Sequence, residues 1–345
     1  MQIEQVVCKD LVKVYKKKKR LSLLPPRSEV TEIHALDGLS FTIYEGEIFG
    51  LLGPNGAGKT TTIQIIAGLL LPDSGEVEVA GVDAIRNPNL VKRIVGVVSG
   101  GNPRQLYNKL TAYENLEYFG RLYGIPDKEL KSRILELLEL VKLADRSDEE
   151  IEKFSAGMKQ RLLIARGLLH DPDVLLLDEP TVGLDPKSSR DLRKLIRDEI
   201  GKREGKAILL TTHEMNVAEE LSDRIAIINR GRLVALDTPS GLKQNFKLGR
   251  LIEIIVETDD GIPVSQMQNI SGVRSISVTS IENSINRKRV LIETLNGDNI
   301  IPDLVDLLIR QYNYKIMNLT QKEPSLEDIF IMATSETEEV MAIAK

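Results

Sequence analysis

The sequence predicts an α/β domain built on a largely parallel sheet, followed by a smaller α+β domain. Three observations lead to this prediction: strand-like and helix-like stretches alternate along the first two thirds of the chain, a glycine-rich turn joins one strand to a helix, and the composition changes near residue 245. Such alternation is typical of parallel sheets, whose ligands bind beyond the carboxyl ends of the strands. Functional residues are therefore expected at those ends.

The bulk composition is that of a globular protein with room for two domains. Of the 345 residues, 42% are hydrophobic and 28% are charged, and the net charge of −5 argues against general affinity for nucleic acid. The single Cys8 excludes an internal disulfide and is typical of a reducing compartment. No apolar run reaches the roughly 18 to 20 residues of a membrane helix, and the first ten residues lack the pattern of a secretion signal. These features predict a cytoplasmic protein that would reach a membrane only through a partner.

The elements of the first domain are predicted from local patterns. Thr111 and Glu114 form a capping box that begins a helix over AYENLEYFGRLYG, and apolar residues at helical spacing predict another over DKELKSRILELLELVKL. A third helix should run from Ala156 to about Leu169, with Ser155 as its N-cap. The predicted strands are LSFTI, EIFGLLG, EVEVAG, IVGVV, VLLLD, AILLTT and RIAIIN.

The second domain shows a different order of elements. From LGRLIEIIVETDD onward the pattern predicts a strand, a helix (262–269), two strands (273–279 and 288–294), a helix (299–312) and a strand (314–320). This βαββαβ order is that of a ferredoxin-like domain. The predicted domains are therefore 1–242, with a helical subdomain at about 104–170, and 245–335.

A phosphate-binding loop is predicted at GPNGAGKTT, which satisfies the G-x-x-x-x-G-K-[ST] pattern between a strand and a helix. Its glycines let backbone N–H groups point at phosphate oxygens, and the helix N-terminus adds its dipole. Lys59 supplies charge for the outer phosphates, and the Thr60 hydroxyl is placed to bind Mg²⁺. Nucleotide contacts are predicted at Gly53, Pro54, Asn55, Gly56, Ala57, Gly58, Lys59, Thr60 and Thr61.

Two carboxylates end the strand VLLLD, which is apolar enough to be buried on both faces. Asp178 stands at its carboxyl end, where the Mg²⁺ of a phosphate loop needs a carboxylate. Glu179 follows one residue later and is suited to polarising a water molecule aimed at the γ-phosphate.

The order of these motifs resembles the ATP-binding subunit of ABC transporters over about residues 3–240. FSAGMKQR (154–161) is similar to the signature sequence of that family. GLDP (183–186) is similar to the loop after the second carboxylate, and TTHEM is similar to the segment that contains the switch histidine. The resemblance implies a P-loop NTPase domain of the ABC ATPase type, with a mixed sheet and a helical subdomain, that hydrolyses ATP with Mg²⁺. It implies that Glu179 and His213 act in catalysis. It also implies nucleotide contacts at Ser155, Gly157, Asp185 and Tyr15, the ring of Tyr15 stacking on adenine.

The signature sequence contains no acid, base or metal ligand that could act in catalysis by itself. Ser155 caps a helix, and a helix N-terminus presents free N–H groups and a positive dipole end, which together suit an anion. In the family that this chain resembles, this N-terminus faces the γ-phosphate held by the other subunit, and the small Ala156 and Gly157 allow the close approach. The resemblance therefore implies a homodimer, or a pair with another ATPase subunit, that forms head to tail on ATP binding.

Two segments depart from the pattern of the family. The family usually has a glutamine shortly after the strand that IVGVV resembles, but in this sequence Gly100 occupies that position. Gln105 is the nearby residue that would serve as the metal ligand instead. Residues 16–34 replace what is commonly a short turn. Their run of four lysines and an arginine predicts a solvated loop, and the alternative is contact with anionic headgroups, helped by Leu21, Leu23 and Leu24.

The leading functional hypothesis is an ATPase subunit that powers export through a separate transmembrane permease, from the inner face of the cell membrane. Its resemblance is strongest to subunits of exporters with an extra C-terminal domain. The alternative is a soluble ABC ATPase that acts on the ribosome or DNA, but such proteins usually have two cassettes or a long coiled coil. A P-loop GTPase would show an Asn/Thr-Lys-x-Asp motif, which this sequence lacks.

Overall fold

A computed structural model describes residues 3–22, 27–100, 105–203, 205–245, 251–258, 261–281, 286–294, 300–322 and 326–330. The chain separates into two compact units, Met1–Leu236 and Asp237–Lys345. Among the described residues, no helix is both long and apolar enough to cross a membrane.

The first unit contains ten strands and seven α-helices among its described residues. The strands are β1 (Glu4–Ser22), β2 (Arg27–Tyr44), β3 (Ile48–Leu52), β4 (Ser74–Val79), β5 (Val82–Asp83), β6 (Val95–Ser99), β7 (Val174–Asp178), β8 (Ala207–Thr212), β9 (Arg224–Asn229) and β10 (Arg232–Asp237). The helices are α1 (Lys59–Ile66), α2 (Pro88–Ile94), α3 (Ala112–Tyr123), α4 (Asp127–Leu140), α5 (Ala156–Leu168), α6 (Pro186–Lys194), which continues as a π-helical stretch (Leu195–Arg203), and α7 (Met215–Leu221).

Two sheets form the framework of this unit. A six-stranded sheet has the order β10-β9-β3-β8-β7-β6, and its neighbours from β9 to β6 are parallel. A four-stranded antiparallel sheet has the order β2-β1-β4-β5. The α/β class with a mixed set of strands, predicted from the sequence, is therefore confirmed.

The central strands are buried on both faces, and their alternation separates two cores. In β7, Leu175 and Leu177 pack in one cluster with helices α3, α4 and α5, whereas Val174 and Leu176 pack in the other. The second cluster contains Ile63 of α1 and the inward residues of the antiparallel sheet. Because successive strand residues point to opposite faces, one apolar run fills both cores.

The first long helix after β6, α3, begins where the sequence predicts it. Thr111 accepts a hydrogen bond from the Glu114 N–H at 3.1 Å, and the Glu114 carboxylate accepts one from the Thr111 N–H at 2.8 Å. This reciprocal pair confirms the capping box at the start of α3. Ser155 caps α5, whose observed end at Leu168 agrees with the prediction.

The second unit contains helices α8 (Pro239–Asn245), α9 (Val264–Gln268) and α10 (Ile301–Val305), followed by a π-helical stretch (Asp306–Gln311). Its strands are β11 (Leu251–Glu257), β12 (Val273–Ser280), β13 (Arg287–Thr294) and β14 (Lys315–Lys322). They form one antiparallel sheet with the order β12-β13-β11-β14, which is the order of a ferredoxin-like fold. Ile252, Ile254 and Leu304 lie in its separate core.

The prediction of a solvated loop at residues 16–34 is wrong for the backbone that the structure describes. Lys16 pairs with Glu32, Arg20 with Ser28 and Ser22 with Arg27, so β1 and β2 continue as an antiparallel ribbon. The pairing of the two strands outweighs the preference of a charged run for irregular structure. Leu23 and Leu24 lie outside the described residues.

Since each unit has its own core, we expect a chain ending at Leu236 to fold and to bind ATP. The expected result is one cooperative thermal transition and an ATP affinity within a few-fold of that of the full chain. A chain ending at Leu221 is the control, because it lacks β9, a neighbour of β3, and should not fold. Failure of the longer chain to fold would make the second unit a part of the ATPase core.

Candidate active site

Strand register brings four functional segments to one edge of the six-stranded sheet. Leu52 of β3 is level with Thr212 of β8, Thr211 with Asp178 of β7, and Asp178 with Ser99 of β6. The segments that follow these parallel strands therefore emerge side by side. They are the phosphate loop, the carboxylate pair, His213 and Gly100.

The phosphate loop is shaped by close backbone approach. A Cβ atom at Gly53 would lie 2.6 Å from the Ile228 carbonyl oxygen, and one at Gly58, where φ is +109°, would lie 2.4 Å from that of Ala35. Only glycine fits these two positions. Gly58 also gives α1 no side-chain cap, so the first N–H groups of this helix are available to an anion. The cradle fits the phosphates of ATP.

Lys59 lies over this loop and is only 5% exposed. Its ammonium group donates to the carbonyl oxygens of Gly53 at 2.8 Å and Pro54 at 3.2 Å. It also lies 3.2 Å from Glu179 Oε1. The charge is therefore held at the mouth of the loop, where we propose that it binds the outer phosphates.

A pair of oxygen donors lies beside the first turn of α1. Thr60 Oγ1 donates to Asp178 Oδ2 at 3.0 Å, and Thr211 Oγ1 donates to Asp178 Oδ1 at 2.6 Å. A hydroxyl and a carboxylate next to a phosphate cradle fit Mg²⁺, which prefers one or two protein oxygens together with substrate phosphates. We propose Thr60 and Asp178 as its protein ligands. The ion would supply neutralisation of charge on the β- and γ-phosphate oxygens.

Glu179 leaves the strand in an unusual backbone conformation, with φ at +49°. A left-handed conformation in a non-glycine residue costs on the order of 1 kcal/mol or more. Two hydrogen bonds hold it, since its N–H donates to both the carbonyl and the hydroxyl of Thr211 at 3.1 Å. Its carboxylate thereby lies between Lys59 and His213, whose Nδ1 is 3.0 Å from Oε2. We propose Glu179 as the general base and His213 as the residue that orients it.

Gly100 occupies the position at which the family usually has glutamine, and the structure gives a steric reason for glycine. Its N–H donates to the Asp178 carbonyl at 2.7 Å, and a Cβ atom there would lie 1.9 Å from the Glu179 carbonyl oxygen. Gln105 is the next described residue that could take the place of that glutamine. Its side-chain oxygen accepts from Arg166 at 2.8 Å, so metal binding by Gln105, which stays a proposal, would require release from Arg166.

The signature segment lies at the exposed start of α5. Ser155 Oγ accepts from the Met158 N–H at 3.2 Å, and both Ser155 and Ala156 are exposed. Gly157 is buried instead, packed so closely on α6 that a Cβ atom there would lie 2.6 Å from Ser188 Oγ. This glycine therefore also permits packing within the chain, a role that the sequence did not indicate.

Asp185 caps the neighbouring helix α6. Its Oδ1 accepts from the N–H groups of Lys187 and Ser188, both at 3.0 Å. Hydrogen bonds from Ser188 and Lys187 lower the pKa of this carboxyl, so it is ionised at neutral pH. The N-termini of α5 and α6 thus lie together, through the contact of Gly157 with Ser188.

Tyr15 lies in β1 and is 40% exposed. The Lys13 ammonium is 6.0 Å from the centre of its ring. An aromatic ring with an open face suits stacking on a base, and we propose that Tyr15 contacts adenine.

Thr211 is a functional residue that sequence reasoning missed. It is fully buried, yet its hydroxyl contacts Asp178 and its backbone and hydroxyl both accept from Glu179. The only signal in the sequence is the polar pair that ends the apolar strand AILLTT.

Comparison with known proteins agrees with this geometry. Residues 36–182 match the family model described as ABC transporter, and residues 238–334 match the ATP-binding protein DrrA1-3-like C-terminal domain. The linearmycin resistance ATP-binding protein LnrL of Bacillus subtilis (strain 168) is 34% identical over 302 residues, which are 87% of this chain and 93% of that protein. The Nod factor export ATP-binding protein I of Rhizobium sp. (strain N33) is 36% identical over 299 residues, covering 87% of this chain and 91% of that protein.

A solved structure supports the fold in the same way. The ATP-binding cassette MJ0796, in a dimeric post-hydrolysis state bound to ADP and Pi, superimposes with a TM-score of 0.57 at 28% identity, covering 68% of this chain and 98% of that one. The fold and the site define a P-loop ATPase. The chain belongs to the family of ABC transporter ATP-binding proteins, in the group with a DrrA-like C-terminal domain. It binds and hydrolyses ATP as the cassette subunit of such a transporter.

We expect Glu179→Gln to slow hydrolysis by about two to four orders of magnitude, because the general base is lost while its position is kept. ADP affinity should be retained, as measured by calorimetry. His213→Ala should slow hydrolysis less, since it removes only a partner of Glu179. Glu214→Gln is the matched control, because Glu214 contacts Thr181 instead and should retain activity. Normal turnover in Glu179→Gln would place the base elsewhere.

Thr211→Val should lower the turnover number about tenfold, the effect of one lost hydrogen bond to a charged group, with little change in ATP affinity. Thr211→Ser keeps the hydroxyl and should restore turnover, which a purely structural role of the methyl group would not predict. Steady-state kinetics on both variants, with melting temperatures to verify folding, provide the measurement. Wild-type turnover in Thr211→Val would contradict the positioning role.

Proposed function

We propose that this chain powers export through a separate transmembrane subunit, with two copies pairing head to tail around two ATP molecules. The observation that carries the proposal is the exposed, serine-capped N-terminus of α5. A helix N-terminus suits an anion, and the first turn of α5 contains no acidic residue.

The place where α5 packs on the six-stranded sheet supports a site shared between copies. Gly167, near the end of α5, packs on β6, since a Cβ atom at Gly96 would lie 2.2 Å from the Gly167 carbonyl oxygen. In the sheet order, β6 is three places from β3, or roughly 14 Å at the usual strand spacing. The C-terminal end of α5 therefore packs on the edge strand of the sheet, three strands from the phosphates that Lys59 would bind. A second copy, turned head to tail, would bring its own α5 to them.

The relatives support both parts of the proposal. One is named for export and one for resistance to a compound, and resistance is an outcome that export would produce. The dimeric state of MJ0796 bound to ADP and Pi supports pairing of cassettes around nucleotide. We infer that the chain acts in the cytoplasm at the inner face of the membrane, bound to its permease and not to nucleic acid.

An exposed aromatic cluster suits the transmembrane partner. Tyr107 and Tyr118 are exposed, with ring centres 4.9 Å apart, and Phe119 packs 5.3 Å from Tyr118. Arg166 lies 4.9 Å from the Phe119 ring centre and also binds Gln105. A partner docked on these tyrosines would therefore contact a network that leads to the carboxyl edge of the sheet. Aromatic side chains are enriched in such interfaces.

Complementation between two inactive variants tests the shared site. Lys59→Ala removes phosphate binding, and Ser155→Arg fills the space at the start of α5, so each variant should be inactive by itself. In a mixed head-to-tail dimer both changes meet in one site and the other site is intact. Mixing the two proteins should therefore restore part of the ATPase activity. Ser132→Arg, an equal change at an exposed position of α4, is the control and should remain active without mixing.

The complementation test has a clear contrary outcome. If the Ser155 helix served the phosphates of its own chain, each mixed dimer would contain one defect in each site, and no activity would return. Gel filtration of Glu179→Gln with ATP and Mg²⁺ gives an independent check, since this variant should form a dimer that Ser155→Arg abolishes.

We expect the double change Tyr107→Ser and Tyr118→Ser to reduce recovery of an integral membrane protein with the chain from detergent-solubilised membranes. ATPase activity of the isolated chain should be unchanged. Leu135→Ser, a change of an exposed apolar residue on α4, is the control. Co-purification with ribosomes or DNA, instead of a membrane protein, would favour the alternative function.

A further inference from the structure

The most unusual feature of the first unit is the length of β1 and β2. β1 pairs with β4 only from Val6 to Val12, but it pairs with β2 as far as Ser22. Residues 13–22 and 27–36 therefore form a two-stranded ribbon, here called the basic arm, that continues beyond the sheet. At about 3.3 Å per residue, ten residues of strand extend roughly 33 Å.

Residues 31–34 of the basic arm are exposed on both faces, whereas Ala35 and Leu36 at its root are buried. Thr31, Glu32, Ile33 and His34 are all exposed, although consecutive strand residues point to opposite faces. Ile33, an apolar residue, is 50% exposed. A two-stranded ribbon without a packed face is marginally stable by itself. The arm therefore presents a surface suited to a partner.

The root of the arm is fixed to the body of the unit. The Val14 N–H donates to Asp73 Oδ2 at 2.6 Å. The Lys13 ammonium donates to Asp73 Oδ1 at 3.1 Å and to the Leu71 carbonyl at 2.9 Å. The Asp73 N–H donates in turn to the Val12 carbonyl at 2.8 Å. These bonds give the arm a defined direction where it leaves the sheet.

Charge separates the arm from the rest of the molecule. Residues 13–34 contain seven lysines and arginines and two glutamates, a net charge of +5. The whole chain carries −5, so the remainder carries −10. Edge strands often carry one or two lysines to prevent unwanted pairing, but here Lys16, Lys17, Lys18, Lys19 and Arg20 are consecutive. Lys16 is paired with Glu32 at 3.2 Å, but residues 13–34 keep a net charge of +5, which favours contact with an anionic surface.

We propose that the basic arm is an electrostatic docking element for an anionic lipid surface. A membrane suits the arm better than a nucleic acid does. A long polyanion would also be repelled by the acidic remainder of the chain, whereas the arm alone can contact a planar surface. The cytoplasmic leaflet attracts clusters of basic residues in this way. The proposal adds a lipid contact to the membrane location in the proposed function, and it rests on that location alone.

Vesicle sedimentation with the full-length chain tests the arm without a transmembrane partner. Vesicles of phosphatidylcholine alone are compared with vesicles that also contain phosphatidylglycerol. The chain should bind only the anionic vesicles, and the binding should disappear as salt rises towards 1 M, where the screening length falls to about 3 Å. Equal binding to both vesicle types, or no binding to either, would overturn the proposal.

A pair of charge-matched variants locates the binding. Changing Lys17, Lys18, Lys19 and Arg20 to Gln should weaken binding to anionic vesicles at least tenfold, given the usual contribution of each basic residue near a membrane. Changing four exposed lysines elsewhere, Lys92, Lys128, Lys131 and Lys142, to Gln removes the same charge and should change binding less than threefold. Equal losses in the two variants, or none in the first, would overturn the proposal.

Two further measurements exclude other roles of the arm. If its charges only protect a strand edge, the arm variant should self-associate in gel filtration while its vesicle binding stays normal, which would overturn the proposal. Tighter binding of the wild type to a short DNA duplex than to anionic vesicles would also overturn it. ATPase activity should be unchanged in both variants. Failure of the chain to co-purify with an integral membrane protein would concern the proposed function, whereas vesicle binding concerns the arm alone.

Discussion

The Asp178 carboxylate connects three separate segments, and the arrangement of the whole site depends on it. One oxygen accepts from Thr60 at the start of α1, the other accepts from Thr211 at the end of β8, and the residue itself ends β7. Hydrogen bonds to an ionised acceptor are roughly twice as strong as those between neutral groups. Because Lys59 precedes Thr60 and Glu179 follows Asp178, fixing this carboxylate also fixes the cation and the proposed base.

Close packing at the carboxyl edge of the sheet explains several residue choices together. The backbone of Glu179 is held by Thr211 and is covered by Gly100, at a distance that leaves no room for a Cβ atom. Glu179 has a strained φ, and this backbone conformation places its carboxylate between Lys59 and His213. Strain of this kind persists only where the surroundings hold it, and it is typical of functional sites. Gln105, five residues after Gly100, is held by Arg166.

The sequence predicted those features that depend on neighbours in the chain. The capping box of Thr111 and Glu114, the Ser155 cap and the phosphate loop each lie within a few residues, so their geometry follows from local hydrogen bonds and backbone preferences. The prediction failed where distant strands decide the outcome. The basic run from Lys16 to Arg20 has the composition of a loop, but pairing with 28–32 makes it a strand.

The sequence by itself determined the fold class, the order of the strands and helices along the chain, and the residue types that contact phosphate and carry charge. It could do so because apolar periodicity, caps and glycine-rich turns are local properties. Only the tertiary structure decided that Thr211 supports Asp178, 33 residues away, that Gln105 is held by Arg166, 61 residues away, and that Gly157 packs on Ser188. These contacts join residues far apart in the chain. Thr211 meets Asp178 because parallel strands in one register bring their carboxyl ends to the same edge, and the other two contacts arise because α5 packs on its neighbours.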